Sequence, residues 1–92
     1  MSKQTALLLA EMIAARSAWR HGYELSQETG IKSGTLYPLL MRLEEQGFLE
    51  SRWEEPEREG RPPRHAYRLT AKGTLLAKDL RKAAPLTLSA KP

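Results

Sequence analysis

Two clusters in this chain carry groups suited to contacting an anion. The first is KSGTLYPLLMR, which holds Lys32, Ser33, Thr35, Tyr37 and Arg42. The second is EEPEREGRPPR, residues Glu54 to Arg64, with Arg58, Arg61 and Arg64 inside it and Arg52 just before it. Cations neutralise nucleic-acid phosphates, and groups of matched shape read base edges. Lys32 and Ser33 stand where a helix would begin, and there the free backbone N–H groups and the helix dipole favour a phosphate. Thr35 can reach a base edge or a phosphate, and Met41 can meet a thymine methyl. Arg42 either contacts phosphate or pairs with Glu45 or Gln46. Tyr37 places a phenol at the helix edge, where ordinary boundary packing explains it equally well. Arginines in a hairpin tip suit minor-groove or phosphate contact. Glu54, Glu55, Glu57 and Glu59 offset much of that charge, as they would in a plain solvated loop.

Other chemistry finds little footing. The 92 residues include no cysteine, which excludes disulfides and thiolate metal sites. His21 and His65 are far apart in sequence and suggest no metal set, and His21 reads as a packing residue at a helix entry. Glu44 and Glu45 are adjacent on a helix, do not face each other and cannot share a proton. No Gly-rich phosphate loop or nucleophile motif appears, so neither an enzyme nor a cofactor is expected. The net charge of +4 fits an anionic partner without requiring one. Glu11 interrupts the apolar run Leu7-Leu8-Leu9-Ala10, so no membrane contact is expected and the location is read as cytoplasmic.

The elements that must position these groups are legible in the periodicity. Residues Thr5 to about Ala18 form a first helix, with Leu8, Met12 and Ala15 on one stripe and Ser2 as N-cap. Trp19 to His21 link it to the next, with Trp19 as a plug over the core. A short helix spans Gly22 to Thr29, with Tyr23 and Leu25 buried and Gln27 and Glu28 outside. Gly30 supplies the left-handed residue that ends it, and Ile31 packs inward. The next helix begins at Ser33, whose hydroxyl caps it, and runs to Gln46 before Gly47. Leu36, Leu39, Leu40 and Leu43 share its buried face, while Gly34, Pro38, Met41 and Glu45 lie opposite. Two helices joined by a Gly-containing turn form a helix-turn-helix, whose second helix usually enters the major groove.

After Gly47 the period changes to two. Leu49, Ser51 and Trp53, and then His65, Tyr67 and Leu69, mark two strands joined by a loop too long for a tight turn. Thr70 caps a last helix, residues 71–84, ended by Pro85, with Leu75, Leu76 and Leu80 on its apolar side. The chain is one domain, residues 1–84, with a flexible tail at 85–92. Its expected class is mainly α with a two-stranded β-wing, a winged helix-turn-helix.

The segments HGYEL, SGTLYPLLMRLEEQGFLES and GRPPRHAYRLTAKG resemble the PadR family of bacterial transcriptional regulators over roughly residues 5 to 80. The resemblance implies a dimer that binds a palindromic double-stranded operator, usually as a repressor, and makes Tyr37 a phosphate contact. It implies dimerisation through the first and last helices, with Leu8, Met12, Leu76 and Leu80 as the contributing residues. Some members release DNA when a small aromatic or cationic compound binds, which makes such an effector a candidate partner. Two other readings use the same fold: a protein–protein interaction module, and a phage or plasmid factor that bends DNA.

Overall fold

A helix-turn-helix can present one helix outward only if that helix is seated on its other face, and four leucines seat it here. The computed structural model describes residues 2–14 and 18–83. The elements are α1 (Lys3–Ala14), β1 (Arg20–His21), α2 (Gly22–Thr29), α3 (Ser33–Glu45), β2 (Leu49–Glu54), β3 (Arg64–Leu69) and α4 (Ala71–Ala83). Leu36, Leu39, Leu40 and Leu43 of α3 are buried against Leu8, Leu9 and Met12 of α1, Leu25 of α2, Leu49, Tyr67 and Leu69 of the sheet, and Ala77 of α4. Burying each leucine contributes roughly 1.5–3 kcal/mol. Four of them more than offset the hydrogen bond to Gly34 that Pro38 deletes inside α3.

The helix ends follow local rules. Ser2 Oγ accepts the Thr5 amide at 3.1 Å and bonds the Thr5 hydroxyl at 2.8 Å, which satisfies the buried Thr5. Gly30 (φ 76°) ends α2 and Gly47 (φ 84°) follows α3, both in the left-handed region. Thr70 Oγ1 accepts the Gly73 amide at 3.0 Å, capping α4.

Several expectations are corrected. Helix α1 is described to Ala14; Ala15 lies outside the described residues, and Ala18 is not helical. Pro85 and the 85–92 tail also fall outside them. Lys32, not Ser33, occupies the N-cap of α3, with no side-chain cap bond. Ser33 already has helical backbone, so its hydroxyl does not serve as the cap. Tyr23 is 72% exposed because Gly22 and Leu25 take the inner side of α2. Leu75 is 65% exposed, since α4 faces inward with Gly73 and Ala77. Leu8 and Met12 are 0% and 1% exposed within the chain's own core, so they leave no surface for a second subunit. Leu76 and Leu80 are half-buried at its edge.

The hairpin has a third strand that periodicity does not reveal. The sheet order is β1-β3-β2, all antiparallel, with Arg20 opposite Tyr67 and His21 opposite Ala66. Two residues are too few to show alternation. Trp19 is no core plug either. It lies half-buried with the guanidinium groups of Arg52 and Arg68 4.2 and 4.4 Å from its ring centre. Beside it Arg20, 12% exposed, draws in Glu11 of α1 at 3.4 Å and Glu24 and Glu28 of α2.

The chain leaving α3 is clamped by the start of α4. The Thr70 amide donates to the Phe48 carbonyl at 3.1 Å, and the Thr70 hydroxyl donates to the Gly47 carbonyl at 2.6 Å. Lys72 Nζ donates to the Gln46 carbonyl at 2.9 Å. A Cβ at Gly73 would overlap the Phe48 carbonyl, whereas one at Gly34 would meet nothing within 4 Å. Gly73→Ala should therefore lower stability by about 2 kcal/mol, or roughly 10 °C in Tm. Gly34→Ala should leave stability unchanged or raise it by up to about 1 kcal/mol. Thermal melts of the two variants check this pair.

Candidate nucleic-acid interface

The turn before α3 is held by side chains. Thr29 Oγ1 donates to the Leu25 carbonyl at 2.6 Å and accepts the Ile31 amide at 3.1 Å. Ser26 Oγ donates to the Ile31 carbonyl at 2.7 Å, and the Gly30 amide donates to the Ser26 carbonyl at 2.9 Å. Ile31, 5% exposed, is pinned inward, so Lys32 and the first turn of α3 point out. The Lys32 carbonyl accepts from both the Thr35 and Leu36 amides, at 2.9 and 2.8 Å. The Ser33 and Gly34 amides precede the first intrahelical bond and stand at the positive end of the helix dipole.

Along α3 the exposed residues are Ser33, Gly34, Thr35, Pro38, Met41, Arg42 and Glu45, with Tyr37 38% exposed. The outward face is therefore low in relief and poor in charge over its first two turns. Arg42 makes no ion pair among the described residues, so the alternative pairing with Glu45 is not formed. Tyr37 lies against the start of α2, where a Cβ at Gly22 would come within 2.6 Å of two of its ring carbons. Gly22 thus admits the ring and fixes where the phenol emerges. Neither Gly22 nor the turn bonds of Ser26 and Thr29 are apparent in periodicity. A Ser or Thr in the last turn of a short helix is the sequence signal that marks such bonds.

The wing pairs β2 with β3 in antiparallel register, with Ser51 opposite Tyr67 and Trp53 opposite His65. On its α3-facing surface Ser51 Oγ donates to Glu44 Oε2 of α3 at 2.6 Å. Farther out the Tyr67 hydroxyl lies 2.9 Å from His65 Nδ1. His65 then stacks on the 68%-exposed Trp53, with ring centres 4.4 Å apart and planes 7° from parallel. Burial, then Glu44 and Tyr37, push the Tyr67 phenol above its ordinary value, so it stays protonated.

The loop bends into a concavity of about 430 Å³ lined by Pro56, Glu57, Arg58, Arg61, Pro62 and Arg64. Arg58 and Arg61 are exposed and make no ion pair among the described residues. Arg64 Nη1 instead donates to Glu57 Oε1 at 3.1 Å. Arg52, at the wing base, donates to Glu54 Oε2 at 3.1 and 2.8 Å from Nε and Nη2, besides lying over Trp19. Among the described residues, no three His, Cys, Asp or Glu converge to hold a metal ion, and no helix is long and apolar enough to cross a membrane.

The wing base is tied to the helix-turn-helix through His21. Its Nε2 donates to Glu54 Oε1 of β2 at 2.7 Å. Its amide donates to Glu24 Oε1 of α2 at 3.0 Å, with Nδ1 3.3 Å from the same oxygen. The carboxylates accept only, so both ring contacts are hydrogen bonds together only when both ring nitrogens carry protons. The amide bond from His21 holds Glu24 below the ordinary carboxylate range, and the ring bond from His21, then Arg52, does so for Glu54.

The chain matches the model of the transcriptional regulator PadR-like family over residues 12–79. A comparison with curated proteins gave no match. A protein of known structure from Streptococcus mutans UA159 is 32% identical, with 90% of this chain and 80% of that chain covered and a TM-score of 0.73. A PadR family transcriptional regulator from Eggerthella lenta is 28% identical, with 95% and 80% covered and a TM-score of 0.72. A PadR-like transcription factor from Bacteroides fragilis is 26% identical, with 96% and 88% covered and a TM-score of 0.71.

The His21 junction has a pH signature. Glu24 and Glu54 are lowered in the folded state, so their contribution is full above the unfolded value and is lost as pH falls through the folded one. Stability should drop as pH falls below about 4.5. Glu24→Gln should lower stability at neutral pH and flatten that acid slope. Urea titrations across pH check both.

Proposed function

We propose that this chain, which belongs to the PadR-like family of transcriptional regulators, represses transcription as a homodimer on a palindromic operator. Two copies of α3 would occupy successive major grooves about 34 Å apart. The observation that carries this is the distribution of unpaired cations. Lys32 and Arg42 flank the low-relief face of α3, and Arg58 and Arg61 stand in the wing, none of them ion-paired among the described residues. A free cation can neutralise a phosphate and release counterions without first breaking an internal pair.

In this reading Thr35 and Met41 meet base edges, and Lys32, Ser33, Tyr37 and Arg42 contact phosphates around them. Arg58, Arg61 and Arg64 follow the backbone or minor groove from the wing. The protein acts in the cytoplasm, bound to chromosomal DNA. The dimer forms through the packed pair α1 and α4, where Leu7 (47% exposed) and Leu75 (65% exposed) present apolar surface beside the half-buried Leu76 and Leu80.

Selection of bound duplexes from a random library tests the reading. A two-fold symmetric site together with a dimer mass supports it. No binding at low salt by the folded protein sinks it and favours a protein–protein module. Arg61→Ala should weaken binding to all sequences and reduce the log–log salt slope by about 0.9. Leu75→Glu should shift the mass in sedimentation toward the monomer while leaving the fold, read by circular dichroism, intact.

A further inference from the structure

Of the three wing arginines, Arg64 differs from the other two. Arg58 and Arg61 are open to solvent, whereas Arg64 is held by a carboxylate from its own loop. Glu57 and Arg64 lie at opposite ends of the loop, and both line the same concavity as Arg58 and Arg61. The Glu57 carboxylate thus holds one guanidinium of a concavity that three arginines line, a position a phosphate would suit. Their side chains are 77% and 40% exposed, so water screens the pair and it holds weakly. The Arg64 fork is also incompletely used. Its Nε is buried and has no hydrogen-bond partner, a cost that a different anion geometry would relieve. The nearby Glu59 is exposed and makes no ion pair among the described residues.

We propose that the wing tip is a phosphate-binding concavity in which Glu57 stands in for the phosphate in free protein. A DNA backbone phosphate displaces the Glu57 carboxylate from Arg64 on binding. This rests on the reading of the wing as a DNA contact and adds a built-in competitor to it. The phosphate is the better ligand because it presents several acceptor oxygens in the fork geometry of arginine. Displacement uncovers Glu57 beside the backbone, which lowers affinity for every sequence alike. Glu57 therefore restrains non-specific binding and leaves discrimination to the contacts of α3.

The test uses the full chain and a short mixed-sequence duplex at low salt. Glu57→Gln and Glu59→Gln each remove one negative charge from the same loop, so the comparison separates competition from net charge. Glu57→Gln should bind more tightly than Glu59→Gln by roughly two- to fivefold, the scale of an exposed ion pair. That surplus should vanish when Arg64→Ala is also present. Equal gains from the two glutamine variants, or a Glu57 surplus that survives Arg64→Ala, would overturn the competitor and leave the wing–DNA contact standing. If Arg61→Ala, Arg64→Ala and Glu57→Gln all leave affinity and salt slope unchanged, the wing reading itself fails, and the competitor with it. Glu57 and Glu59 are exposed loop residues, so their variants report even where substitution of Arg64 in β3 disturbs the hairpin.

Discussion

The close approach of Gly73 to the Phe48 carbonyl is the constraint on which the placement of α3 depends. That contact brings the first turn of α4 against the chain leaving α3, near enough for Thr70 and Lys72 to take the carbonyls of Gln46, Gly47 and Phe48. The last carbonyls of α3, those of Arg42, Leu43 and Glu44, accept the amides of Gln46, Phe48 and Gly47, and the start of α4 takes the carbonyls that follow. The far end of α3 is fixed just as firmly through Ser26, Thr29 and the inward Ile31. With both ends held and four leucines buried between them, α3 has little freedom to tilt or slide. A reading helix needs that rigidity, because a loosely held supporting shell displaces every contact it makes.

A second theme is the division of labour among the cations. Arg20 draws in carboxylates from α1 and α2, and Arg52 and Arg68 lie over Trp19 while pairing with Glu54 and Glu50. These three work inside the fold. Lys32, Arg42, Arg58 and Arg61 are left without carboxylate partners among the described residues, on α3 and the wing. A modest net charge of +4 understates the local field, since much of the acidic content is paired with structural arginines. Arg64 stands between the two groups, and Glu57 decides which it joins.

His21 shows how the wing and the helix-turn-helix become one body. It is the N-cap of α2, pairs with β3 through β1, and reaches Glu54 at the base of the wing. The sequence places it at a helix entry, and it stands there as the residue before α2. Its two carboxylate partners come from Glu24, three residues on, and Glu54, thirty-three residues on. Only the first is within the reach of a local pattern.

The sequence by itself determined the family, the order of the four helices and the two wing strands, the seat of α3 in Leu36, Leu39, Leu40 and Leu43, the left-handed Gly30, and the caps at Ser2 and Thr70. Each rests on spacing along one element or on the chemistry of one residue, and both are local. Tertiary structure alone decided which partner each side chain found. It showed Trp19 under two arginines instead of over the core, Tyr23 and Leu75 exposed, and Leu8 and Met12 enclosed by their own chain. It also showed Gly22 making room for Tyr37, and Glu57 holding Arg64. The physical reason is that periodicity records which face of an element is apolar. It does not record which other face will arrive there, or how close two backbones must come when it does.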